Sequence, residues 1–486
     1  MTAGAALLPE RRGRLELQIF GVLAITALLL APAIWNGYPL IYFDSEDYVE
    51  MSFTWQPIIY RIMTYGAFVT IARPFDTLWA VVLVQALMTS WLLHEAVFAF
   101  VGRWRRRVYL AVGIVLVAFT GLPIVTSEVL ADLFAGLAIL GIATLAFGEA
   151  LPLWRRAVLV PLVAIAIGVH MSHVAVAAGL MLVLTAMAVT ARWVKRMPRP
   201  KPLLPLLAFL LGAALVPLTH WAATGEAFFT KSGRVLQLAL FVQDGLAQEY
   251  LDAVCPAGAA LKMCAHKDEL PFTADEFLWG DSAFDGMGGW KAMHDEADII
   301  VDGAIRLFPL DVARAMAANT WTQLNLVADG EDLVPMTWHF VKTELKRYPR
   351  DFRRFHFARQ QRRFGIDFEP VNQVHVPVAQ AAELAMLGFL VAAWRRRDRL
   401  STGLILVVAL AMLGNAFVCG ALSNPHDRYQ NRVVWLALFA SVIGAVRLDQ
   451  RMGSRRPAKP FADPLGRVHI LPHPTERVSE DSLAGG

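Results

Sequence analysis

The sequence predicts an all-α polytopic membrane protein of about ten transmembrane helices. Both termini are placed on the cytoplasmic side, with a large, mainly helical external domain between the seventh and eighth spans. Three observations carry this prediction. The 486 residues are 56% hydrophobic and only 18% charged, with mean hydropathy +0.47, whereas a soluble protein carries about 25% charged residues. Apolar runs of about 20 residues recur, each long enough to cross a hydrocarbon core of about 30 Å. Basic clusters mark every second junction between those runs, as the positive-inside rule requires.

In chain order the spans fall at 17–35, 77–100, 108–122, 128–147, 157–171, 173–191, 203–221, 377–394, 401–420 and 432–447. They are helices because lipid cannot satisfy the polar groups of an open backbone. Arg11, Arg12 and Arg14 precede the first span, and "RWRRR" (103–107), "WRR" (154–156), "RWVKRMPRPK" (192–201), "RRRDR" (395–399) and "RLDQRMGSRR" (447–456) follow the even-numbered ones. The net charge of +4 and pI near 9.0 reside in these clusters, so nucleic-acid binding is not implied. The first span also fits a secretory signal, with "RRGR", an apolar core and "APA" (31–33). An anchoring helix is preferred because an acidic loop follows it so closely.

Four regions result. Residues 1–221 form an N-terminal transmembrane core with its first external loop at 36–76, and 222–376 an external domain, interrupted by charges such as Asp302 and Arg306 and holding no credible span. Residues 377–447 add the last spans, and the polar, proline-rich 448–486 is a disordered cytoplasmic tail. On an oxidising face a disulfide between Cys255 and Cys264 in "CPAGAALKMC" is expected, while Cys419 packs within a span.

Polar groups near membrane depth are costly and mark function. Here they gather in the external turns. "YFDSEDYVEM" (42–51) supplies Asp44, Glu46 and Asp47 just after the first span. "TSEVLAD" supplies Glu128 and Asp132, whose spacing of four predicts one helix face. "GVHMSH" supplies His170 and His173, "LTHW" supplies His220, and "NPHDRYQNR" supplies His426, Asp427, Arg428, Tyr429 and Arg432. The cytoplasmic junctions offer arginines but almost no acid or histidine. Blander readings stand beside these: a solvated surface for Glu46 and Glu50, a helix cap for Glu128, backbone partners for the histidines, and a juxtamembrane anchor for "HDRYQNR". No phosphate-binding loop, zinc-protease helix or nucleophile elbow is present.

This pattern resembles the GT-C class of integral membrane glycosyltransferases, which take a sugar from a polyprenyl-phosphate carrier at the external face. The layout of "YFDSEDYVEMS" followed by "WQPIIYRIMTYGAFVTIARPF" is similar to the acidic first loop of that class, and "TSEVLAD" to its second acidic position. The resemblance covers the topology of roughly residues 15–230. It implies transfer to a lipid, glycan or protein acceptor, with Asp44 or Asp47 as the catalytic acid position.

The chemistry is consistent with that implication. An acceptor attacking an anomeric carbon must lose a proton, and a partly desolvated carboxylate can take it; Asp44 or Asp47 is the expected base, with Glu128 completing the catalytic set. Glu46, Asp132, His170, His173 and His426 are expected around the acceptor. The leaving phosphate needs cations, for which Lys231, Arg234, Arg428 and Arg432 are candidates. No cofactor is identified, and a divalent metal on Asp44, Glu128 and Asp132 stays open. The stretch 346–365, "KRYPRDFRRFHFARQQRRFG", reads either as an amphipathic segment docking on membrane lipids or as a solvated helix. Two other classes stay in view: an O-antigen ligase or polymerase-like transferase working through external Arg and His, and a lipid-linked-sugar transporter or flippase. The expected setting is a bacterial inner membrane, with the site facing the periplasm or exterior.

Overall fold

A computed structural model describes residues 7–101, 105–148, 150–336 and 345–453, together with a strand pair at Phe461–Ala462 and Val468–His469. Apart from that pair, the expected tail lies outside the described residues beyond Gly453. Each of the ten expected spans is helical over most of its length. Six helices are long and apolar enough to cross a membrane.

The chain opens with α1 (Leu7–Leu29) and the short α2 (Ala31–Asn36). Ile25, Leu29 and Ala33 are buried, and Ser127 Oγ donates to the carbonyl of Leu29 at 3.3 Å. Helices α3 (Phe43–Thr54) and α4 (Met63–Val69) fill the first loop. Then come α5 (Trp79–Phe100), α6 (Arg105–Phe119) and the single-turn α7 (Leu122–Ser127). Helix α8 (Leu133–Phe147) is buried at every position, as expected of a helix that is apolar all round. Around it stand α9 (Leu153–Gly168), α10 (Met171–Thr190) and α11 (Leu203–Thr224).

Helices α9 and α11 meet backbone to backbone. A Cβ on Gly168 would lie 2.7 Å from the carbonyl of Gly212, and one on Gly212 2.6 Å from that of Ala164. Small residues permit the close approach that stands in for a hydrophobic driving force between helices in lipid.

Segment 222–376 divides into two parts. Helices α12 (Gly233–Gln243), α13 (Leu246–Val254), α14 (Ala274–Trp279), α15 (Ala283–Gly286), α16 (Gly289–Ala292), α17 (His294–Leu307) and α18 (Pro309–Asn325) enclose a core of their own, built from Leu238, Phe241, Phe277, Phe284 and Ile300 among others. Cys255 and Cys264 are disulfide-bonded in this part. Val327, Leu333, Met336, Tyr348 and Phe355 join the main core instead.

Within 346–365 only α19 (Pro349–His356) is α-helical, and its inner side is not solvated. Asp351 accepts hydrogen bonds from the Tyr38 hydroxyl at 2.9 Å and the Leu78 N–H at 2.8 Å. Gln360 bonds both the N–H and the carbonyl of Ile41. The basic residues Arg350, Arg353, Arg354, Arg362 and Arg363 face outward.

The chain closes with α20 (Glu369–Arg395), α21 (Arg399–Ala416), a π turn at Phe417–Ala421 and α22 (Asp427–Gly453). Two features depart from expectation. The end of the bundle opposite Asp44 also carries acids, neutralised by Arg155–Glu95 at 3.2 Å and Arg447–Asp398 at 2.7 Å. Glu383 lies midway along α20, so polar groups are not confined to one edge.

Candidate functional site

The first loop is held against the α7–α8 turn by backbone pairing. The Leu40 N–H donates to the Ser127 carbonyl at 2.9 Å and the Val129 N–H to the Leu40 carbonyl at 3.0 Å. Ser45 extends this tie: its Oγ accepts from the Tyr42 N–H at 2.9 Å and donates to the Val129 carbonyl at 2.8 Å. Asp44 therefore enters in the first turn of α3, where free N–H groups favour a negative charge.

Glu128 and Asp132 do not share a helix face. Helix α8 starts at Leu133, Asp132 is its N-cap, and Glu128 sits in extended backbone at φ −85° and ψ 142°. The strand-like pairing with Leu40 claims the residues that a longer helix would have used. Glu128 stands at the C-terminal cap of α7 and not at the start of α8.

Arginines separate the acids. Asp44 bridges two guanidiniums, accepting from Arg61 Nη2 on one oxygen and from Arg428 Nη1 at 3.1 Å on the other. Arg61 also donates through Nε to Asp47 at 3.2 Å. Arg428 lies 4.0 Å from Asp132, which Arg432 binds at 2.5 Å. Arg432 is fully buried and reaches Ser172 Oγ at 2.9 Å, Asn415 Oδ1 at 3.2 Å and Cys419 Sγ at 3.1 Å. The π turn after α21 presents Cys419 to this guanidinium, a case of local helix irregularity at a polar site. The Arg428 guanidinium also lies between the rings of Tyr42, at 4.5 Å, and Tyr429, at 4.7 Å.

A small cleft lies beside this network, lined by Tyr42, Glu128, Asp132, Glu331, Arg428 and Asn431 among others. Two features point into ligand chemistry. The Arg428 Nε–H is buried and has no hydrogen-bond partner among the described residues, so a donor is left without an acceptor there. The Glu128 carboxylate has no hydrogen bond or ion pair among the described residues, while its backbone carbonyl accepts from Gln85 at 2.8 Å. Burial raises the Asp47 carboxyl to about 6, with Arg61 opposing and Asp44 adding to the rise.

Other expected residues have different settings. His170 Nδ1 bonds Ser172 Oγ at 2.8 Å, and its ring centroid is 5.1 Å from that of His173. His173 contacts the Ala166 carbonyl through Nδ1 at 3.0 Å, and its buried Nε2 has no hydrogen-bond partner among the described residues. His220 links the Met63 N–H and the Phe228 carbonyl. His426 is gripped by Glu331 at 2.7 Å and Asp275 at 3.3 Å. Burial would lower its imidazole, but those two carboxylates carry it up to about 10. Glu46 is half-buried on α3.

Lys231 and Arg234 are not brought to the cleft by any polar contact: Lys231 pairs with Glu226 at 2.8 Å in the open, and Arg234 with Asp298 and Asp302 of α17. Their basic character serves the segment from which they come. Among the described residues no group of three His, Cys, Asp or Glu side chains is arranged to hold a metal ion; Asp44 and Asp132 are held by arginines instead.

Sequence reasoning did not single out Arg61, Glu331 or Asp329. Arg61 lies in the apolar "WQPIIYRIMTYG", and a lone arginine there was the available signal. Asp329 bonds Asn431 Nδ2 at 2.5 Å and approaches His375 at 3.9 Å, and it lies so close to Gly121 that a Cβ there would collide with it. No known protein family, curated protein or solved structure matches the chain.

Proposed function

We propose that the chain is a membrane glycosyltransferase that moves a sugar from a polyprenyl-phosphate donor to an acceptor nucleophile at the Asp44 end of the bundle. The observation that carries this reading is the partnerless Arg428 Nε–H beside a cleft of carboxylates, at the end of an apolar helical bundle. An anionic phosphate oxygen is the acceptor such a guanidinium lacks. In the reaction the acceptor oxygen or nitrogen bonds to the anomeric carbon as the bond from that carbon to the phosphate oxygen breaks. The acceptor's proton passes to a carboxylate, and the charge on the departing phosphate falls to Arg428.

Asp47 is the preferred base. Asp44 has both carboxylate oxygens taken by guanidiniums, whereas Asp47 meets one and is raised to about 6. Glu128, which lines the cleft, orients the acceptor. The setting that fits is a bacterial inner membrane with this end toward the periplasm; the alternation of basic junctions and the disulfide support that orientation.

The test is comparative lipid and glycan analysis of a deletion strain complemented with wild type, Asp44→Asn or Asp47→Asn. A sugar missing from one glycoconjugate in the deletion strain, and a loss of about 10²-fold or more with Asp47→Asn, is expected. Unimpaired transfer by both variants removes the carboxylate mechanism. An unchanged glycoconjugate profile in the deletion strain removes the transferase.

A further inference from the structure

Three aromatic rings from two distant parts of the chain meet one residue away from the acid–arginine network. Tyr60 lies between α3 and α4, Trp279 ends α14, and Trp290 belongs to the "GMGGW" turn (286–290) and α16. The ring centroids of Tyr60 and Trp279 are 5.0 Å apart, those of Tyr60 and Trp290 5.0 Å, and those of Trp279 and Trp290 5.3 Å. Phe284 supports Trp290 from below at 5.6 Å, edge to face.

This cluster is not sealed. Trp279 keeps 51% of its surface exposed, and Tyr60 and Trp290 are half-buried. Packing alone would drive such large rings inward, since each buries 150–250 Å² when enclosed. On the network side, the Arg61 guanidinium stands 5.2 Å over the Tyr60 ring while it binds Asp44 and Asp47. Helix α14 straddles the region, because Asp275 at its start binds His426 and Trp279 at its end meets Tyr60. An open aromatic ledge thus adjoins a half-buried carboxylate and a hydrogen-bonding guanidinium.

We infer that Tyr60, Trp279 and Trp290 form a saccharide subsite, on which the pyranose ring of a glycan acceptor stacks and presents a hydroxyl toward Asp47. A pyranose has a face of C–H groups that suits an aromatic ring, and a rim of hydroxyls that suits carboxylates and guanidiniums. A hydrocarbon chain would use the ledge but leave the polar neighbours unmatched, and a free phosphate would have no use for the rings. This inference rests on the transferase reading and narrows its acceptor to a saccharide.

The test uses the full-length chain purified in detergent and an array of neutral oligosaccharides built from hexopyranose and N-acetylhexosamine units. Wild type retains a subset of the array, Trp279→Ala weakens that retention about tenfold, and Trp279→Phe falls between. Because an alanine variant can fail to fold, wild type alone is also oxidised with N-bromosuccinimide, with Trp279 followed by mass spectrometry. A retained oligosaccharide protects Trp279 from oxidation. Absence of any retained oligosaccharide, equal retention by Trp279→Ala, or oxidation of Trp279 unaffected by a retained sugar overturns the subsite. These readouts involve no transfer, so failure of the carboxylate mechanism leaves them unmoved.

Discussion

Removing the charge of Arg432 tests the polar network without reference to any substrate. Its side chain is fully buried and forms its ion pair with Asp132 at 2.5 Å, with Ser172, Asn415 and Cys419 filling other positions on the same guanidinium. Two magnitudes compete. A neutral hydrogen bond between membrane helices contributes only about 0.6 kcal/mol, whereas stranding one partner of a buried ion pair costs about 3–5 kcal/mol. Among the described residues Asp132 has only the Arg428 cation, at 4.0 Å, to fall back on, so the larger figure applies. Arg432→Met is expected to destabilise by about 3 kcal/mol or more. Arg432→Met combined with Asp132→Leu, which strands no charge, should fall short of the sum of the single changes by about 2 kcal/mol. The measurement is SDS-driven unfolding in mixed micelles, followed by far-ultraviolet circular dichroism. Additive effects within about 0.5 kcal/mol would refute the argument that Asp132 and Arg432 neutralise one another.

Three further outcomes follow from the geometry. Asp47 binds its proton more tightly folded, at about 6, than at the ordinary value of 3.8, so stability falls as pH rises between those values; Asp47→Asn should abolish that fall in pH-dependent unfolding curves. His426 runs in the same direction over a higher window: raised from 6.5 to about 10 by Glu331 and Asp275, it stabilises fully below pH 6.5 and loses that contribution as pH climbs through about 10. The deficit of His426→Gln relative to wild type should shrink over the same window in thermal melts. Cys255→Ser should cost about 2.5 kcal/mol, from the loop entropy of a nine-residue separation, and peptide mapping without reductant should recover the two cysteines joined.

What the sequence discloses depends on the range of the interaction. The helices are legible because each is specified by its own apolar run; even the buried α8 announces itself in "LFAGLAILGIATLAF". Asp44, Asp132, Arg428 and Arg432 are legible as well, because charges beside apolar runs stand out. Their pairing is not: Asp44 and Arg428 are 384 positions apart, and Asp132 and Arg432 are 300. Spacing of four put Glu128 and Asp132 on one helix, and only the tertiary pairing with Leu40 shows why the helix starts later. Lys231 and Arg234 looked equal to Arg428 as cations, but their partners Glu226, Asp298 and Asp302 could not be assigned from composition.

The network has a consequence for the order of events on the proposed reading. Within their direct ion pairs Arg61, Arg428 and Arg432 balance Asp44, Asp47 and Asp132 when all six are ionised. An arriving phosphate upsets that balance. To engage Arg428 it competes with Asp44 for the same guanidinium, and the surplus negative charge favours protonation of a nearby carboxyl. Donor binding and proton uptake are then linked, so donor affinity rises as the medium becomes more acidic. The donor, on entering, loosens one ion pair, and a proton taken up by the base must leave before that carboxylate can accept the acceptor's own.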